Sequence, residues 1–154
     1  MSNSSYRPLY ETAADLKHEQ KLASRIEQGF AWSLRKMSRK YYLDFMAFRP
    51  SGPAVAVIEV KRRHNPHNRY ETVILSLAKY MKGAEYYNVL GLKFLFIVEF
   101  DNGCFKYEYK HGDATQLSII TGGRKDRNDP QDIEPVIHIP VHGMTPLFDT
   151  GGIQ

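Results

Sequence analysis

From about Glu11 to Arg39 the apolar residues recur at helical spacing. Leu16, Leu22, Ala23, Ile26, Phe30, Leu34 and Met37 fall within about 60° of one direction at about 100° per residue, so the pattern predicts an amphipathic helix with one face toward a core. Two aromatic and β-branched runs follow, Tyr41 to Phe48 and Ala54 to Lys61, separated by Pro50-Ser51-Gly52-Pro53. Their length and composition predict two strands of a hairpin. A second helical stripe (Val73, Ile74, Leu77, Met81, Ala84) predicts a helix from about Glu71 to Leu90, with Asn68 near its start and Gly91 to close it. Lys93 to Phe100 reads as a buried strand, Asp101-Asn102-Gly103 as a turn, and Cys104 to Tyr109 as the returning strand. Farther on, residues 122–130 read as a mobile loop, and Val136 to Val141 as a last edge strand containing Pro140. The residues themselves thus give α, β, β, α, β, β and one further strand. Together they form an α/β domain spanning residues 1–154, with a core at about 11–110 and a loop-rich extension at 111–154.

Composition narrows the class. The 154 residues suit one globular unit with room for a sizeable core. With Cys104 as the single cysteine, an intramolecular disulfide and a cysteine-based zinc site are both excluded, and the expected setting is reducing and cytoplasmic. No apolar run approaches the ~20 residues of a membrane span, and the first residues are polar, so no membrane partner is expected. The net charge of +4 conceals an asymmetry. Residues 1–93 carry 16 Lys/Arg against 8 Asp/Glu, and residues 94–154 carry 5 against 9. A polyanion would therefore be met by the first part of the chain.

Three charged residues stand where apolar ones dominate. Asp44 is the lone charge in its strand, and Glu59 and Lys61 end the run Ala54-Val55-Ala56-Val57-Ile58. Side chains alternate along a strand, so Glu59 and Lys61 share a face, and Asp44 on the partner strand can reach them. Charges gathered this way either satisfy one another as ion pairs or bind a metal. Glu19 lies in the middle of the first helix's apolar stripe, whereas Glu27 lies at its edge. Glu19 is either a local cap or salt-bridge partner, or a carboxylate aimed at the same cluster.

Asp44, fourteen residues, then Glu59-Val60-Lys61 at the end of an apolar strand resembles the PD-(D/E)xK nuclease superfamily in its Asp…Glu-x-Lys form. The stretch from Glu19 to Phe30, with Ile26-Glu27-Gln28-Gly29-Phe30 at its end, is similar to the first helix of Holliday-junction-resolvase-type nucleases. Leu43 stands where the motif's name has proline. The resemblance covers about residues 16–100 and implies a restriction-endonuclease-like αβββαβ core, with a mixed central sheet flanked by helices. It also implies a metal-dependent phosphodiester hydrolase, a DNA endonuclease. In that reading Asp44 and Glu59 ligate Mg²⁺ (or Mn²⁺), Glu19 holds a second ion or its water, and Lys61 orients and polarises the attacking water. DNA is the implied partner and a homodimer the implied assembly. The alternative is a non-catalytic nucleic-acid-binding or structural protein that keeps the nuclease fold. Some branches place a glutamine motif in the second helix. Here Lys79-Tyr80 occupies that region, and the helical stripe turns Lys79 away from the core.

After Lys61 the loop Arg62-Arg63-His64-Asn65-Pro66-His67-Asn68-Arg69 offers donors for phosphates beside the site, with Arg62, Arg63 and Arg69 as the candidate contacts. Arg124 and Lys125 are candidates in the later loop, although Gly122-Gly123-Arg124-Lys125 lacks the P-loop spacing. Arg35, Lys36, Arg39 and Lys40 cluster at the expected end of the first helix, where cations suit the helix dipole. His64 and His67 lack partner ligands for zinc, Cys104 reads as a small buried residue, and Trp32 points away from the helical stripe.

Overall fold

The computed structural model describes residues 12–122 and 133–148. Helix α1 (Ala13–Phe30) begins at a capping box. The Asp15 N–H donates to Thr12 Oγ1 (3.1 Å), and the Thr12 N–H donates to Asp15 Oδ2 (3.0 Å). The helix does not continue to Arg39. Ala31 turns left-handed (φ 55°), and Ser33–Lys36 becomes strand β1. The apolar stripe could not reveal this break, because Leu34 packs toward the same core from a strand as it would from a helix. Trp32 is not a helical residue either; it stacks on Phe30 with ring centroids 4.6 Å apart.

Strand β2 (Phe45–Phe48) is shorter than expected at its start, since a 3-10 turn occupies Arg39–Tyr41. It runs antiparallel to β1 and to β3 (Ala54–Arg62). The hairpin turns at Gly52, whose N–H donates to the Arg49 carbonyl and whose φ of 114° suits glycine. The crossover to β5 (Lys93–Phe100), which is parallel to β3, departs from the expected single helix. It contains strand β4 (Thr72–Ser76) and then α2 (Leu77–Leu90), ending at Gly91 with φ 68°. Val73 and Leu75 are buried and their neighbours less so, a period of two that a window of three apolar residues does not distinguish from a helix. Ser76 rather than Asn68 therefore holds the N-cap position of α2.

Strand β6 (Gly103–Glu108) returns antiparallel to β5, and β7 (Ser118–Gly122), β8 (Glu134–Pro140) and β9 (Thr145–Pro146) complete the described chain. A six-stranded mixed sheet has the order β1-β2-β3-β5-β6-β9, and a three-stranded sheet the order β4-β8-β7. The strand expected at an edge, β8, is thus the centre of the smaller sheet, with Pro140 at its end opposite Thr72.

Two cores result. On one face of the large sheet, Leu22, Ala23 and Ile26 of α1 pack on Ala47, Ala56, Ile58 and Ile97. On the other, Tyr80 of α2 and Leu75, Ile137 and Ile139 of the small sheet pack on Val57, Phe94, Phe96 and Val98. This is the expected mixed sheet flanked by helices. Its αβββαβ order holds within the large sheet, where β1 supplies the third strand, with β4 of the small sheet inserted before α2. No helix among the described residues is long and apolar enough to cross a membrane.

Candidate active site

The alternation of β3 places Val57, Glu59 and Lys61 toward α2 and the small sheet, and Ala56, Ile58 and Val60 toward α1. Glu59 is 5% exposed, the one buried charged residue of the described core. Its Oε2 accepts from Lys79 Nζ at 2.5 Å, whereas its Oε1 is buried with no hydrogen-bond partner among the described residues.

Asp44 lies just before β2. Its N–H donates to the Ile58 carbonyl (3.1 Å) and its carbonyl accepts from Met37 (2.8 Å). Its Oδ2 accepts from the Val60 N–H at 2.9 Å, so the backbone of β3 itself pins the carboxylate next to Glu59. Burial, reinforced by the Asp44 charge, pushes Glu59 well above the usual carboxylate range. Lys79 is pulled down by burial but held above its ordinary value overall by Glu59.

Lys61 donates from Nζ to the Ile74 carbonyl of β4 (2.9 Å). Burial, with Arg63 beside it, pulls its ammonium down to about 7. Glu59 and Lys61 do share a face, as expected from the strand period.

Glu19 sits one ion pair away, bonded to Lys36 Nζ, which also lies 3.6 Å from Asp44 Oδ1. Glu27 is spent elsewhere, accepting the Leu34 N–H (2.9 Å) where the chain enters β1. Lys36 is therefore a strand residue at the site rather than a cation at a helix end, and the dipole account of the Arg35–Lys40 cluster does not apply. Among the described residues no three Asp, Glu, His or Cys side chains stand together as a complete metal cage. The donor set still fits a hard divalent ion. Two carboxyl groups face one another, Glu59 is driven toward its protonated form by burial and by Asp44, and a divalent ion between them would let both ionise.

The structure separates the arginines of the following loop. Arg62 bonds to Glu99 Oε1 (2.7 Å) and lies 3.2 Å from His18 Nδ1. Arg69 lies over the Tyr70 ring, and Arg63 has neither an ion pair nor a side-chain hydrogen bond among the described residues. Arg124 and Lys125 lie outside the described residues. His67 is engaged with Asn102 and stacks on Phe105, and Cys104 is buried as expected.

Sequence reasoning missed Lys79, which it turned away from the core, and Lys36. Lys79 reaches the site because α2 starts at Leu77, so the residue lies in the helix's first turn above β3. No local signal marked it, because the start of α2 is set by the pairing of β4 with β8.

An Asp and a Glu-x-Lys at the meeting of two strands in an αβββαβ core match the pattern of the PD-(D/E)xK class. The chain belongs to the family described as "Phage putative PDDEXK endonuclease", whose model matches residues 5–147. Among solved structures it is similar to Hjc, a Holliday junction resolvase from Archaeoglobus fulgidus, with a TM-score of 0.53 over 86% of this chain and 99% of that one. The two are 12% identical, so this likeness is one of fold. No curated protein matches the chain.

Proposed function

We propose that the protein is a divalent-metal-dependent DNA endonuclease, using Mg²⁺ or Mn²⁺ and acting as a homodimer. The observation that carries this reading is the Glu59 carboxyl held against Asp44, which burial and then the charge and hydrogen bond of Asp44 push toward its protonated form. A divalent ion between the two would let both carboxyls ionise, which burial and their mutual repulsion otherwise oppose.

Asp44 and Glu59 would hold the ion, with the Val60 carbonyl as a third oxygen. Glu19 would act through water, steadied by Lys36. The ion supplies charge relief at the phosphate and acidifies water. Lys61, drawn down to about 7, has an appreciable neutral fraction at physiological pH. Its amine, held by the Ile74 carbonyl, can orient the attacking water and take its proton. Lys79 holds Glu59 in place on the opposite side.

The test is incubation with Mg²⁺, and separately Mn²⁺, and labelled linear, nicked, four-way-branched and single-stranded DNA, with matched RNA, read on a denaturing gel. Internal DNA cuts that disappear in Glu59→Ala and Lys61→Ala support the reading. Wild-type cutting by either variant, or salt-sensitive binding without cutting, overturns it. Sedimentation of the full chain tests the dimer, which a monomer on cleavable DNA would refute.

A further inference from the structure

Beside the proposed metal site lies a second, smaller feature that the nuclease chemistry does not use. Glu59, Lys61 and Arg63 alternate along one face of β3 and its extension, where the Arg63 N–H still pairs with the Glu99 carbonyl at 2.9 Å. Arg63 lines a shallow, open recess together with Asn65, His67, Tyr70 and Thr72, and with the apolar Val73, Phe100 and Val141.

The guanidinium is half-buried, and burial alone depresses its proton affinity. It has no carboxylate and no hydrogen-bond partner among the described residues, whereas its neighbour Arg62 is paired with Glu99. A desolvated, unpaired guanidinium lowers stability, because its lost hydration is not replaced. Arginine also carries a fork of donors suited to tetrahedral anions. The recess is thus cationic on one side, apolar at Val73, Phe100 and Val141, and lined by no carboxylate among the described residues.

We infer that this recess is a phosphate subsite, in which Arg63 grips a backbone phosphate next to the scissile one in the same strand. The inference rests on the nuclease reading for the position of the scissile phosphate. Residues two apart on a strand are separated by about 7 Å, so Arg63 stands from Lys61 at about the spacing of neighbouring phosphates. Such a contact fixes the register of the strand over the Glu59–Lys61 pair and reads no sequence. The exposed Tyr70 at the rim offers a neutral donor to the same anion, whereas Asn65 Nδ2 donates to the Pro66 carbonyl (2.8 Å).

The first experiment contains no metal and needs no cleavage: fluorescence anisotropy of a labelled duplex with full-length protein in EDTA across a salt series. For Arg63→Gln, affinity should fall about tenfold, and the slope of log K against log salt should flatten by about 1. Lys93→Gln, at the far end of the sheet, should keep the wild-type slope, and Arg63→Lys should recover slope. The melting temperature of Arg63→Gln should equal or exceed that of wild type, since an unpaired charge has been removed. A wild-type slope in Arg63→Gln, or a slope loss accompanied by a fall in melting temperature, overturns the subsite.

The second experiment places single neutral methylphosphonates around the mapped cut. One neighbouring position should slow wild type yet leave Arg63→Gln no slower than it already is; equal slowing of both overturns the assignment. If wild type cuts nothing, the nuclease reading fails while the salt slope still decides the anion contact.

Discussion

Lys79 Nζ lies 2.5 Å from Glu59 Oε2, and this one ion pair ties the first turn of α2 to the buried middle of β3. It gives Glu59 a counter-charge in the absence of metal, and it must share that carboxylate with any ion that enters. Lys79→Met should lower the metal-free stability by about 1–2 kcal/mol, below the usual cost of breaking a fully buried pair, because the lysine side chain is 38% exposed. The same variant should show a larger rise in melting temperature on adding Mn²⁺ than wild type does, since the ion no longer competes with an ammonium. Thermal shift with and without metal checks both; an unchanged metal response would show that the two do not share Glu59.

Glu59 has its own pH signature. Its proton affinity is raised in the fold by burial and then by Asp44. A group whose folded pKa lies above its unfolded value stabilises the fold at low pH, and that stability is lost as pH rises from the unfolded value through the folded one. The metal-free protein should therefore weaken from about pH 4.5 upward on account of this residue. Glu59→Gln, which does not titrate, should melt higher than wild type at pH 8 in EDTA and lose that advantage toward pH 4.5. Parallel melting curves across the range, with no convergence, would refute the account.

Much of this site was legible in the chain. Asp44, Glu59 and Lys61 were marked by charge inside apolar strands, and the two-residue period of β3 put the last two on one face, where they are found. The supporting lysines were not legible, because both depend on element boundaries decided by distant partners. β4 is a strand because it pairs with β8, more than sixty residues later in the chain, and only that pairing ends the apparent helix at Leu77 and brings Lys79 over Glu59. Likewise β1 exists because Leu34 and Lys36 pair with Ala47 and Phe45 of β2, a contact no local stripe encodes. Arg62 and Arg63 looked alike in sequence. The Glu99 carboxylate on the neighbouring strand distinguishes them.

Glu19 and Asp44 should differ in weight. Asp44 is held directly against β3 by the Val60 N–H, whereas Glu19 is joined to Asp44 through the ammonium of Lys36. Asp44→Asn should abolish cleavage, a loss of about 10³-fold or more, by removing a charge from the ion itself. Glu19→Gln should cost about 10- to 100-fold in metal affinity, the range for partners behind the first ligands. Excess Mn²⁺ should rescue Glu19→Gln and leave Asp44→Asn inactive. Equal, unrescued losses would place Glu19 on the ion.

Gly83 lies one helical turn beyond Lys79 and lets α2 sit directly on β5. A Cβ there would lie 2.4 Å from ring carbons of Phe94, which is fully buried and has no room to swing away. Gly83→Ala should lose stability by about 1–2 kcal/mol, the overpacking cost less the helix preference of alanine. Lifting α2 also lifts Lys79 from Glu59, so cleavage should fall with it. Gly91→Ala provides the contrast: its left-handed φ of 68° makes a side chain strained by a similar about 1–2 kcal/mol, yet nothing lies within 4 Å of the new Cβ. Melting temperatures should drop in both variants while cleavage falls only in Gly83→Ala. Equal cleavage by the two would mean that the seating of α2 does not set the geometry of Glu59.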